Sequence, residues 1–226
     1  MEKKGPSDNN SNEYLTFQEH LEMERNSEVN EAVLDYSKRR YTIEEYLEME
    51  RASDVKHEYY QGEIFAMSGA SDSHNWIYIN ILGELCIQLK KKPCRPYGSD
   101  MRMHIPENTL FTYPDIAIYC GDPSVIDKDQ DTVTEPAIII ELLSPSTRSY
   151  DLGKKFELYR AIPTLKEYIL IDTENIAVKS WRINEYNYWG PQEYKTLQET
   201  LVIPTVGISL SMQDIYQGTR LAKQMK

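Results

Sequence analysis

Asp115 and Glu141 are the carboxylates whose surroundings ask most for an explanation. Glu141 lies in PAIIIELLSPS, a run whose other members are nearly all apolar before the turn. A charged group on such a strand requires an ionic partner or a metal. Asp115 lies in TYPDIAIY, where alternation puts Tyr113, Asp115, Ala117 and Tyr119 on one face and Pro114, Ile116 and Ile118 on the other. Downstream, Asp151, Lys155 and Tyr159 recur every four residues and would share a helix face. Two hard oxygen ligands suit Mg²⁺ or Mn²⁺ better than Zn²⁺. Such an ion can acidify a water, orient a phosphate and stabilise a departing alkoxide. Lys155 could steer the attacking water or neutralise developing charge. These are the parts of a metal-dependent phosphodiester hydrolase.

The elements that must position these groups can be read from periodicity. Thr42 followed by Glu45 has the spacing of a capping box and predicts a helix over 42–52. The Gln61-Gly62 turn predicts a hairpin. Ile77, Ile81, Leu85 and Leu89 predict a long helix from His74 to Lys90, stopped by Pro93. Strands follow near Arg95–Ile105, Tyr113–Tyr119 and Ala137–Leu143, then a helix over Asp151–Ala161 and a strand over Glu167–Asp172. Beyond these, Ile176–Ile183, Tyr186–Trp189, Glu193–Leu197 and Leu201–Ile203 read as meandering β-structure, with a turn at Gly190-Pro191 and a short helix over Ser211–Gln217. The central order is α-β-β-β-α-β.

The N-terminal region contains a repeat. LTFQEHLEMERNSEV (15–29) returns as YTIEEYLEMERASDV (41–55). The second copy runs directly into KHEYYQGEIFAMSG, which assigns 41–226 to one domain and leaves 1–40 as a partly disordered extension with a duplicated helix. Two copies are too few for a stacked solenoid.

Composition is that of an ordinary globular chain, with 40% hydrophobic and 27% charged residues. No apolar run approaches a membrane span, and the polar N-terminus MEKKGPSDNN has no signal-peptide character. Cys86, Cys94 and Cys120 form neither an even disulfide set nor a zinc cluster, which points to a cytoplasmic protein. The formal charge of −11 argues against tight, nonspecific duplex binding. Residues 148–160 run the other way, with Arg148, Lys154, Lys155 and Arg160 against Asp151 and Glu157.

YTIEEYLEMERASDVKHEYYQGEIFAMSGASDSHN, YPDIAIY, IIIELLSPSTRSYDLGKKFELYRA and LKEYILID together resemble the Uma2 family of the PD-(D/E)XK, restriction endonuclease-like superfamily, over roughly Tyr41 to Leu221. The resemblance implies an α/β fold with the α-β-β-β-α-β core, additional C-terminal strands and N-terminal helices. It also implies endonuclease activity, most simply on DNA, Mg²⁺ or Mn²⁺ as cofactor, and possible homodimerisation. Asp115 matches the PD aspartate and Glu141 the acidic position of the motif. Leu143 stands where the motif has lysine, and Lys155 on the following helix fits the migrated lysine, with Lys154 as fallback. Glu58 and His74 also fall at family-typical positions, which implies a metal- or water-positioning role for Glu58.

Plainer roles stand beside these. Lys155 could be a solvated lysine paired with Asp151, and Asp151 a helix cap. His74 could cap or pack, and Tyr159 could pack with its hydroxyl satisfied. Asp100 and Arg102 could contact substrate or form a cross-strand salt bridge. The 17 tyrosines could stack bases but equally suit a β-rich core. Two rival functions remain: a catalytically silent binding protein of the same fold, and a metal-dependent hydrolase of nucleotides or small phosphoesters.

Overall fold

The structure, a computed structural model, describes residues 39–67, 69–125 and 131–223. The chain divides after Ser68 into two compact units. The first copy of the repeat lies outside the described residues.

In the N-terminal unit, helix α1 (Ile43–Ala52) starts at the expected capping box. The Glu45 amide donates to Thr42 Oγ1 at 3.2 Å, and the Thr42 amide donates to Glu45 Oε2 at 2.9 Å. Strands β1 (His57–Tyr60) and β2 (Glu63–Ala66) form the expected antiparallel hairpin. Its turn residues Gln61 and Gly62 both have positive φ, 49° and 88°, the twist that a two-residue hairpin favours. Buried Glu50 fastens helix to hairpin, accepting from the His57 amide and meeting His57 Nδ1, each at 2.9 Å. The Tyr46 hydroxyl donates to the His57 carbonyl, and its ring stacks on Tyr59.

The C-terminal unit is built on a six-stranded mixed sheet. Its strands are β3 (Cys94–Gly98), β6 (Ile116–Cys120), β9 (Ile138–Leu143), β10 (Glu167–Asp172), β11 (Val178–Ile183) and β12 (Trp189–Tyr194), in the order β12-β11-β10-β9-β6-β3. The β9–β10 pair is parallel and the others are antiparallel. Two short helices, α3 (Arg148–Leu152) and α4 (Lys154–Tyr159), make the connection that parallel pairing requires.

Helix α2 (Asp72–Leu89) contributes Ile77, Ile81, Leu85 and Leu89 to a core shared with Ile138, Ile140 and Leu142 of β9, Ile116 and Ile118 of β6, and Ile169 and Ile171 of β10. Side chains alternate across a strand, so Ile139, Glu141 and Leu143 point to the opposite face. That alternation is why one carboxylate can sit in an otherwise aliphatic run.

Strands β4 (Arg102–Ile105), β5 (Leu110–Thr112), β7 (Ser124–Val125) and β8 (Thr132–Thr134) pair separately in the order β5-β4-β8-β7. Hairpin β13 (Thr200–Ile203)–β14 (Ile208–Ser211) and helices α5 (Met212–Ile215) and α6 (Arg220–Lys223) complete the unit. Among the described residues no helix is long and apolar enough to cross a membrane.

Several expectations change. The strand expected over 95–105 is two strands, β3 and β4, that join different sheets after a turn near Asp100. The helix expected over 151–161 starts earlier and breaks at Gly153, whose φ −117° and ψ −96° leave helical geometry. Gly190-Pro191 lies within β12, not in a turn. Proline is tolerated there because β12 is the sheet's outer strand, and the reversal falls earlier, where Asn184 Oδ1 accepts from the amides of Tyr186 and Tyr188. Finally, Cys94 and Cys120 are joined by a disulfide, because the β3–β6 register sets them directly opposite; Cys86 is free.

Tyr216 closes the C-terminal segment onto the sheet. Its buried hydroxyl reaches the carbonyls of Asp172 and Ala177 at 3.0 and 2.9 Å and accepts from the Ala177 amide at 3.1 Å. Tyr216→Phe leaves these groups without that partner and should cost about 1–3 kcal/mol, measured as a shifted denaturation midpoint with unchanged secondary structure.

Candidate functional site

Asp115 precedes β6 at a bend, one step beyond the last β6–β9 pair, Ile116↔Ile140. Continuing that register puts Asp115 directly opposite Glu141. Hydrogen bonds confirm the apposition. The Asp115 amide donates to Glu141 Oε2 at 3.2 Å, and the Leu142 amide donates to Asp115 Oδ2 at 2.8 Å. Like charges facing each other across two strands repel, so the arrangement needs compensation.

Part of that compensation comes from α3 and α4. Lys155 Nζ lies 3.0 Å from Glu141 Oε1 and 3.7 Å from Asp151 Oδ1. The Tyr159 hydroxyl donates to the same Glu141 oxygen at 2.7 Å. Lys155, Asp151 and Tyr159 therefore meet on one side, as their spacing suggested, despite the break at Gly153. Asp151 is not a cap. It sits buried near the end of α3, its carbonyl accepts from the Tyr168 hydroxyl at 3.0 Å, and its carboxylate flanks Lys155. Lys155 is 5% exposed, which excludes the solvated-lysine reading.

His74 completes the group from the first turn of α2. Ser71 is the cap of that helix, accepting from the His74 amide, so the imidazole is released for another task. His74 Nε2 lies 3.1 Å from Asp115 Oδ1, while its Nδ1 is buried with no hydrogen-bond partner among the described residues. Sequence reasoning did not foresee the Tyr159 contact with Glu141 or the Leu142 amide. The four-residue spacing to Lys155 was the available signal for the first; the second depends on cross-strand register alone.

Not every expected residue gathers here. Glu58 is buried on β1 of the N-terminal unit, paired in register with Phe65. Arg102 is 3% exposed, with Nη2 2.5 Å from Asp131 and Nε donating to Thr132 Oγ1. It forms a salt bridge with Asp131. Lys154 lies beside Lys155 in sequence, but it is Lys155 that reaches the carboxylate.

Glu141 and Asp151 thus flank the Lys155 ammonium, and Asp115 faces Glu141 from the neighbouring strand. Burial above all, with Asp115 and Asp151 adding to it and Lys155 and the Tyr159 hydroxyl pulling against it, pushes the Glu141 carboxyl up to about 8. Negative charge is in excess within a mostly dry site. Among the described residues, no three His, Cys, Asp or Glu side chains form a ready metal cage. The donors present fit a hard cation that takes two carboxylates and keeps several waters, and such an ion would favour the ionised form of Glu141 that burial disfavours.

A mixed sheet with two opposed carboxylates at its core, and a lysine supplied by the crossover helix, defines an α/β protein of the restriction endonuclease-like class. The chain belongs to the Uma2 family: that family's profile, described as "Putative restriction endonuclease", matches residues 43–213. Two relatives come from Synechocystis sp. (strain ATCC 27184 / PCC 6803 / Kazusa). The uncharacterized protein slr1290 is 33% identical over 163 residues, covering 72% of this chain and 84% of the relative. The uncharacterized protein sll1609 is 35% identical over 139 residues, covering 62% and 76%. A crystal structure from Anabaena variabilis ATCC 29413, described as "a putative nuclease belonging to DUF820", shares the fold with a TM-score of 0.63 and 18% identity, over 77% of this chain and 97% of that one.

The Glu141 shift has a definite sign. A carboxyl whose folded value, about 8, exceeds its ordinary 4.5 holds its proton in the folded state, so its contribution is fully present below 4.5 and is lost as pH rises through 8. In metal-free buffer, stability should fall across that window, and Glu141→Gln should flatten the fall. Denaturant midpoints measured at several pH values check this; parallel curves for the two proteins would contradict it.

Proposed function

We propose that this chain is a metal-dependent endonuclease that hydrolyses phosphodiester bonds, with DNA as substrate and Asp115 and Glu141 holding Mg²⁺ or Mn²⁺. The observation that carries this reading is the direct apposition of Asp115 and Glu141 across β6 and β9 with the Lys155 ammonium on Glu141. When bound, the ion would acidify a water and polarise a phosphoryl oxygen.

The chain's own groups have separate tasks. Tyr159 and the Asp115 amide each occupy one Glu141 oxygen, which fixes the carboxylate plane. The Leu142 amide fixes Asp115 in the same way. Lys155, held between Glu141 and Asp151, presents a fixed positive charge where negative charge grows on the attacked phosphate. His74 orients Asp115 through Oδ1. Lys154 and Arg160 add positive charge beside the site for a polyanionic substrate, while Arg148 is paired with Asp172 at 2.7 Å.

The test is nicking of supercoiled plasmid with Mg²⁺ or Mn²⁺. Wild type should nick and Asp115→Asn should not, while Lys155→Ala should lose about 10²–10³-fold in rate. Equal activity in wild type and Asp115→Asn would refute the assignment. Thermal stability gives an independent readout: Mn²⁺ should raise the midpoint of wild type and leave Asp115→Asn unchanged.

A further inference from the structure

Helix α2 has a second face outside the core and the site, with one edge of its Trp76 ring against Gly218. Opposite Ile77, Ile81, Leu85 and Leu89 lie Trp76, Ile79 and Ile87, exposed at 46%, 60% and 70%, together with exposed Gly83 and Cys86. Asp72, Trp76, Ile79, Gly83, Cys86 and Lys90 follow one another at alternating steps of four and three residues, the repeat of a helix–helix seam. Between Asp72 and Lys90 the exposed face carries no charge: its other exposed member is Asn75. On a chain with a net charge of −11 such a stripe is an unusual surface.

The stripe is also symmetric about Ile81. Asp72 and Lys90 lie nine residues to either side, Asn75 and Ile87 six, Trp76 and Cys86 five, Ile79 and Gly83 two. We propose that this face binds the same face of a second copy of the chain, with the two α2 helices antiparallel. Asp72 then meets Lys90 of the partner subunit at each end, and Trp76 meets the partner's Cys86. Ile79 meets the partner's Gly83, above which a side chain would find nothing within 4 Å, so the glycine leaves a notch that the isoleucine fills. A parallel pairing would instead oppose Asp72 to Asp72 and Lys90 to Lys90, so the terminal charges select the antiparallel arrangement. His74 lies seven residues from the centre, so the two copies of the site would sit roughly 20 Å apart along the helix direction, at a rise of about 1.5 Å per residue. A single helix pair is a small interface, at the low end near 1,200 Å² or below, and the dimer should dissociate on dilution.

Sedimentation equilibrium of the full chain over a range of concentrations tests the pairing without reference to hydrolysis. Wild type should show a concentration-dependent dimer, and Ile79→Glu, at an exposed position, should be a folded monomer by circular dichroism. Asp72→Lys and Lys90→Asp should each weaken the dimer about ten-fold, one like-charge pair at each end opposing association, and the two together should restore it. A monomeric wild type, or a dimer untouched by Ile79→Glu, would overturn the proposal. A double swap no tighter than the single changes would overturn the antiparallel register.

Discussion

Two carboxylates face each other across adjacent antiparallel strands, and much of the C-terminal unit can be understood as the means of keeping them there. Isolated, Asp115 and Glu141 would repel in a medium where water is too scarce to screen them. Each is therefore tied by backbone: the Asp115 amide holds Glu141, and the Leu142 amide holds Asp115. Aliphatic residues on the other face of the same strands supply the burial that makes this costly geometry affordable. Ile116, Ile118, Ile138, Ile140 and Leu142 all pack beneath α2. The fold and the charge cluster are thus two sides of one sheet.

The lysine that balances the cluster comes from the crossover between β9 and β10 rather than from β9 itself. Leu143, in the position the motif reserves for lysine, is buried at the strand's end and paired in register with Asp172. Lys155 reaches the same carboxylate from α4, and the break at Gly153 lets the connection turn without separating Asp151 from Lys155. Aromatic packing holds this layer in place. Phe156 stacks on Tyr168, and Tyr159 meets Tyr168 edge-on, so the helix that carries the ammonium is seated on β10. Moving a charge from strand to helix preserves the electrostatics provided that the helix is anchored, and these rings anchor it.

Helix α2 joins these layers. Its inner residues fill the core, its first turn brings His74 to Asp115, and its outer residues form an uncharged stripe. A helix presents different faces every few residues, so three demands can be met by one element without conflict.

How much of this was legible in the sequence depends on the range of the interaction concerned. The capping box at Thr42, the Gln61-Gly62 hairpin, the core stripe of α2 and strand Glu167–Asp172 depend on near neighbours, and the chain alone determined them. So did the suspicion attached to Glu141, since a carboxylate in an aliphatic strand is anomalous wherever that strand ends up. The apposition of Asp115 to Glu141, the Cys94–Cys120 bond and the Arg102–Asp131 bridge each join residues distant in sequence. Only strand register and packing decided them, and register is selected by the whole buried face at once. The same holds for β12, where Pro191 reads as a turn until the tertiary structure supplies an outer edge on which its missing amide hydrogen costs nothing.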